Sequence, residues 1–166
     1  ELIAAVVAGA AARGLKSFCD LFAGVGNFAL PLARSGLSGV MVERTPSAVQ
    51  AAQRAATAQS IGKLKARTAD ASRALTDLVR EGQRFDLVVL DPPREGAPDV
   101  VAGIPGLSPR AVAYVACDPV TLSRDLKPLL AAGLQVSSVQ AFDMFPRTHH
   151  FETLVWLEAA GASSSK

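Results

Sequence analysis

Three short stretches of this chain carry side chains that can do chemistry. In "YVACDPV" an apolar run ends on Cys117, and an acid and a proline follow at once. A cysteine inside a strand is usually a small hydrophobe. One at a strand's carboxyl end, before a locked turn, is placed to act as a nucleophile. In "CDLFAGVGNFALPLA", Gly24 and Gly26 open a G-x-G-x-x-A pattern that lets the backbone approach a ligand closely. Glu43 follows Gly24 by nineteen residues, and its carboxylate can accept hydrogen bonds from two ribose hydroxyls. Dinucleotide and nucleoside binders share that pattern. Asp20, just ahead of the loop, separates them: a carboxylate there repels a pyrophosphate and suits a ligand with an amino group and a sulfonium. S-adenosylmethionine (SAM) is therefore expected over NAD. In "FDLVVLDPPREGA", Asp91 precedes two prolines, whose fixed φ and missing N–H groups make a stiff loop with free carbonyls. Such a loop beside the cofactor pocket can hold a planar base; a strand-ending turn capped by Asp91 is the alternative. Arg94 suits either a phosphate or a neighbouring acid.

These residues need a scaffold that brings strand ends together. Apolar β-rich runs occur at 16–22, 38–43, 64–68, 85–91, 111–117, 134–142 and 151–158. Helical patterns lie near 27–35, 46–61, 71–81, 97–103 and 121–132, the third opening after Asp70 as an N-cap. The opening "ELIAAVVAGAAARG" reads as a core-facing helix and not a signal peptide, having no basic start. Strand–helix alternation implies an α/β fold, a Rossmann-like, doubly wound, mostly parallel seven-stranded sheet. The last two strands have no helix between them and are expected to pair antiparallel through the loop 143–150, with the last strand antiparallel. Ligands in such sheets sit outside the carboxyl ends of the strands, where Gly24, Asp91 and Cys117 all fall. Cys19 lies within the first strand and reads as core packing, as does Trp156 on the last.

The 166 residues suit one domain, expected over 1–159, with 160–166 a disordered tail. Apolar residues make up 49% and charged residues 19%, which fits a folded soluble protein. No apolar run reaches the roughly 18 residues of a membrane helix. Two cysteines cannot build a disulfide framework, a four-cysteine metal site or an iron–sulfur cluster, and a reducing, cytoplasmic setting is expected. No metal and a monomeric state are expected. The net charge of +2 permits a nucleic-acid partner without arguing for one.

Taken together, "DLFAGVGNFALPLA", "LDPPREGA", "YVACDPVTLSRDL" and "FDMFPRTHHFETLVWL" resemble the catalytic domain of the RNA uracil-5-methyltransferase family over roughly residues 1–159. The resemblance implies a SAM-dependent enzyme that forms 5-methyluridine in tRNA or rRNA and leaves S-adenosylhomocysteine. It implies Cys117 as the nucleophile that adds to carbon 6 of uracil, and Glu152 as the base that removes the carbon 5 proton. Asp91 matches the family's acid against the cofactor and target base. Phe22, Asn27 and Glu43 match cofactor-contact positions, alongside Gly24 and Gly26, and Asp70 is expected near the adenine. His149 and His150 could contact RNA phosphate or orient Glu152.

The chain departs from the family pattern in two ways. The motif usually reads serine–cysteine–asparagine–proline, whereas Ala116 and Asp118 flank Cys117 here. The second anion would oppose thiolate formation, so activation is expected from a helix N-terminus near 120 or from proton transfer as the base binds. Family members also carry an N-terminal RNA-binding barrel and a further RNA-contacting segment. The sequence is thus expected to be a catalytic fragment or a minimal enzyme, binding SAM but methylating RNA weakly. Two alternatives stay open: methylation of an exocyclic amine of a nucleic-acid base, or a SAM-binding module without catalysis.

Overall fold

A computed structural model describes residues 1–143 and 151–161. His149, His150, most of the "DMFPRTHH" motif and the tail from 162 lie outside the described residues.

The chain opens with α1 (Leu2–Ala12), which buries Leu2, Val6 and Ala10 at helical spacing. From there strands and helices alternate: β1 (Ser17–Leu21), α2 (Ala29–Arg34), β2 (Ser38–Glu43), α3 (Pro46–Ala58), β3 (Leu64–Thr68), α4 (Ala71–Arg80), β4 (Leu87–Leu90), α5 (Pro98–Gly103), a 3₁₀ turn (Ile104–Leu107), β5 (Ala111–Ala116) and α6 (Pro119–Ala131). Two long strands close the chain, β6 (Leu134–Phe142) and β7 (Glu152–Ala159). All seven strands form one sheet in the order β3-β2-β1-β4-β5-β7-β6. The first five pair in parallel, and β7 runs antiparallel to both neighbours. This is the expected doubly wound sheet with its last strand reversed. Among the described residues no helix is long and apolar enough to cross a membrane.

The centre of the sheet is buried on both faces, which is why β4 and β5 are apolar throughout. Successive residues alternate between two cores. Phe18, Leu87, Val89, Ala113, Val115, Leu154 and Trp156 pack on the side of α1, α2 and α3. Cys19, Leu21, Val88, Leu90, Val112, Tyr114 and Val155 pack on the side of α4, α5 and α6. Cys19 and Trp156 are thus both core residues, as the sequence suggests. Trp156 also carries the Arg13 guanidinium 4.2 Å above its ring, and Arg13 pairs with Glu158.

Two details go beyond what the sequence specified. The last strand is not at the edge: β7 inserts between β5 and β6, so the strand that begins at Glu152 lies in the interior of the sheet. The helix after Cys117 begins at Pro119 rather than at 121, because Asp118 caps it through the amides of Val120 and Thr121.

Close packing fixes one position in β2. A methyl group on Gly39 would overlap the ring of the fully buried Phe18. Gly39→Ala is expected to lower unfolding stability by about 1–3 kcal/mol, as overpacked cores do. Urea unfolding checks this; an unchanged midpoint would show that the ring moves aside freely.

Candidate functional site

The site is built from residues that follow the last rung of the parallel ladder. Leu21 pairs with Val42 on one side and with Leu90 on the other. The next residues, Glu43, Phe22 and Asp91, therefore form one row across β2, β1 and β4. All three line a cavity of about 330 Å³, with Arg44, Thr45, Asp70, Pro92 and Pro93. The size falls at the lower end for small-molecule sites. The glycine loop adjoins it: Gly24 and Gly26 both have left-handed φ, +54° and +89°. Asn27 lies on the same loop, exposed, and is not part of the cavity wall.

Glu43 is held in place before any ligand arrives. One carboxylate oxygen accepts from the Gly24 amide at 3.0 Å and the other from the Thr45 amide at 2.8 Å. Burial alone would raise its pKa; the bonds from Thr45, Gly24 and Arg44 win, and the carboxyl is held below its usual value. Asp70 lines the cavity and also caps α4, accepting from the amides of Ser72 and Arg73 and from the Ser72 hydroxyl. The Ser72 bond is the main cause of its lowered pKa. Its side chain thus has a structural duty beside any ligand contact.

Phe22 has φ +74°, a conformation that costs a non-glycine residue about 1–3 kcal/mol. Simple alternation would send it to the side of Phe18. It packs instead against the α4–α6 core, so the left-handed residue turns the ring across the strand end and into the cavity wall.

Beneath this row lies Asp20, fully buried. Neither carboxylate oxygen has a hydrogen-bond partner. Burial pushes its carboxyl up to about 8, the charges of Asp91 and Glu43 adding to the effect. The N–H of Ala29 favours the charged form without closing a hydrogen bond. An orphaned buried carboxyl behind the cavity wall is an expensive arrangement, and its coupling to Asp91 and Glu43 places it within electrostatic reach of whatever the cavity holds.

The second half of the site is the end of β5 and the start of β7. Ala116 and Thr153 share a rung, which puts Cys117 and Glu152 opposite one another at the next. Carried past the strand ends, the alternation of Val89, Val115 and Leu154 places Asp91, Cys117 and Glu152 on one face. Cys117 and Glu152 are both half-buried, and Cys117 is a free thiol. Desolvation first, and then the charge of Glu152, push the Asp91 carboxyl up to about 6. Water in the open cavity reaches Asp91, which is exposed. That water screens the crowding, so the Glu152 charge is the cause that closure over a ligand would strengthen. Cys19 makes the contrast: burial and then Asp20 drive its thiol far up, and it is inert packing.

Asp118 does not sit free beside the thiol. One oxygen caps α6 and the other faces Arg94 at 3.6 Å. The Thr121 and Val120 amides hold its carboxyl below the usual range. Arg94 therefore finds the neighbouring acid that was one of its two expected partners, though it stays 68% exposed. Among the described residues no group of three or more His, Cys, Asp or Glu is arranged to hold a metal ion.

Sequence reading missed Arg44 and Thr45 as cavity residues and the cluster of Tyr114, Arg124 and Asp125 behind loop 91–97. A polar pair inside the otherwise amphipathic helix after Cys117 was the available signal for the second.

Residues 5–160 match the family model for tRNA (Uracil-5-)-methyltransferase. The chain is 40% identical over 146 residues to the 23S rRNA (uracil(1939)-C(5))-methyltransferase RlmD of Pseudomonas fluorescens, covering 88% of this chain and 32% of that protein. To the RlmD of Edwardsiella ictaluri it is 40% identical over 148 residues, 89% of this chain and 34% of that protein. The chain thus spans about a third of the length of the curated relatives it matches. Among solved structures it superposes on the Pyrococcus abyssi tRNA (uracil-54, C5)-methyltransferase in complex with S-adenosyl-L-homocysteine, with TM-score 0.78 and 27% identity over 94% of this chain and 38% of that one. The magnesium protoporphyrin IX methyltransferase of Synechocystis, at TM-score 0.73 and 19% identity over 95% of this chain and 78% of that one, shares the fold.

Proposed function

The chain belongs to the tRNA (uracil-5-)-methyltransferase family, and from that premise we propose that it is the catalytic domain of an RNA methyltransferase acting on carbon 5 of a uridine in tRNA or rRNA. The observation that carries this reading is the convergence of Cys117, Glu152 and Asp91 on one face of three adjacent strand ends, beside an acid-lined cavity.

The cavity fits S-adenosylmethionine. Glu43 offers an ionised carboxylate for the ribose hydroxyls, Phe22 offers an apolar wall, and behind that wall Asp20 holds an unpaired buried carboxyl whose charged form a cationic group would favour. Asp70 lines the same cavity, and the adenine would lie against it. When bound, the cofactor supplies an electrophilic methyl group and departs as S-adenosylhomocysteine. Removing the charge of Glu43 tests this assignment. Glu43→Gln puts an amide N–H against one of two backbone donors and loses charge-assisted bonds worth about 1.5–3 kcal/mol each. SAM affinity by calorimetry is expected to fall at least about tenfold; an unchanged affinity would remove Glu43 from the ligand site.

Carbon 5 of uracil is a poor nucleophile. The Cys117 sulfur adds to carbon 6, and the ring's electron pair moves toward the carbon 4 oxygen to give an enolate. Carbon 5 then carries the density needed to take the methyl group. Glu152 removes the remaining proton from carbon 5, the double bond reforms, and the carbon–sulfur bond breaks to return the thiolate. Asp91, whose carboxyl its surroundings push up to about 6, can accept from the ring edge when ionised and donate to it when protonated.

The test uses the chain with SAM and micromolar RNA containing 5-fluorouridine, whose fluorine cannot leave as a proton. A covalent protein–RNA species that survives denaturing electrophoresis is the expected result. Methylation of ordinary RNA without such a species points to an exocyclic amine as acceptor. Cofactor binding with neither outcome leaves a binding module.

A further inference from the structure

Loop 91–97 runs from the candidate ring-contact acid Asp91 to the start of α5, and α6 grips it at several points. The buried Asp125 accepts from the Ala97 amide at 2.7 Å and from the Tyr114 hydroxyl at 2.7 Å through one oxygen. Its other oxygen accepts from the Arg124 guanidinium at 2.7–2.8 Å. That guanidinium also donates to the carbonyl of Glu95 at 2.7 Å, and the Thr121 hydroxyl donates to the carbonyl of Arg94 at 3.1 Å. Gly96 completes the fit: its φ is +74°, and a methyl group there would strike both Asp125 and Arg124. The Gly96 amide closes back onto the Pro93 carbonyl at 2.8 Å.

We infer that Asp125 and Arg124 are positioning residues that hold the Asp91 loop in fixed relation to Cys117. Tyr114 stands three residues before Cys117 on β5, and α6 starts two residues after it. Asp125 is therefore bonded at once to the strand that carries the thiol and to the loop that carries the acid. Between the clamped residues 94–97 and Asp91 stand only Pro92 and Pro93, whose rings fix φ and transmit the position. Neither Asp125 nor Arg124 lines the cavity, so their effect passes through Asp91 and its prolines. A site that must place a ring between an acid and a thiol loses rate when either shifts by about 1 Å.

This inference rests on the proposed uracil chemistry, and its test separates the two. Arg124→Ala cuts the clamp from the helix side, at a residue that is half exposed, and Gly96→Ala cuts it from the loop side. Hydrogen exchange of the Ala97 amide, SAM affinity and the rate of adduct formation on 5-fluorouridine RNA are measured for both and for Arg124→Lys. Exchange at Ala97 is expected to rise at least about tenfold while α3 keeps its protection. SAM affinity should change less than about threefold, adduct formation should slow at least about tenfold, and the lysine variant should recover part of the rate. Exchange that rises equally in α3 and at Ala97 would show a merely structural role and overturn the inference. So would a loosened loop with adduct formation at the wild-type rate. Should the wild-type chain form no adduct at all, the uracil reading fails by itself; the clamp is then upheld or overturned by whether exchange rises at Ala97 alone.

Discussion

Under the proposed mechanism, Cys117→Ala is expected to abolish both methyl transfer and the covalent RNA species, whereas Glu152→Gln is expected to slow turnover sharply and to make the covalent species accumulate on ordinary uridine RNA. The two residues follow the Ala116–Thr153 rung that ends the β5–β7 ladder, but in the proposed mechanism they act at opposite ends of the reaction. Without the sulfur, carbon 5 never becomes nucleophilic, and the loss is expected to be at least about 10⁴-fold, as for other covalent nucleophiles. Without the carboxylate, addition and methyl transfer still proceed, but the carbon 5 proton stays and the thiol cannot leave. The loss in turnover is then the about 10²–10⁴-fold typical of a missing general base. Single-turnover assays with labelled SAM, resolved on denaturing gels, read both outcomes. Glutamine keeps the size of the side chain, so a folding defect does not explain a trapped adduct. Normal turnover in Glu152→Gln would move the base elsewhere, and an adduct in Cys117→Ala would end the covalent mechanism.

The strands and the row of residues beyond them were legible because each depends on a short local pattern. An all-apolar run such as "AVAYVA" can be buried only where both faces are covered, and a chemically active residue directly after it must sit at the rim. Glycines with positive φ announce themselves for the same local reason. What depended on tertiary pairing was hidden. Whether β7 would sit inside the sheet or at its edge is decided by its pairing with β5, which no local pattern carries. Asp118 looked like an unfavourable charge beside the thiol. Its real partners are two amides of its own helix and Arg94, which is supplied by another loop. Asp125 was invisible as a clamp because its bonds reach Ala97, 28 residues away, and Tyr114, 11 away. The left-handed turn at Phe22 was hidden for a different reason: nothing about a phenylalanine announces φ +74°, and the surrounding fold imposes it.

SAM binding at pH 7 is expected to release close to one proton, and Asp20→Asn to abolish that release. In the free protein the Asp20 carboxyl is pushed up to about 8 by burial, reinforced by Asp91 and Glu43, so it is mostly protonated at pH 7. A cation placed beside it favours the ionised form and expels the proton. Calorimetry in two buffers of different ionisation enthalpy counts that proton directly. The same group sets how the free protein responds to pH. Between pH 4 and 8 the unfolded chain has already lost this proton while the folded chain still holds it. Stability therefore falls as pH rises through that window, at up to about 1.4 kcal/mol per pH unit. The ligand-free chain should melt at a higher temperature near pH 5 than near pH 8, and a saturating cofactor should narrow the difference. In Asp20→Asn the side chain no longer titrates, so the melting temperature should vary less over this range and the cofactor should bind more weakly without any exchange of protons. A wild-type chain that binds SAM at pH 7 with no proton released would show that the ligand's charge never reaches this carboxyl, and the buried acid would then need another explanation.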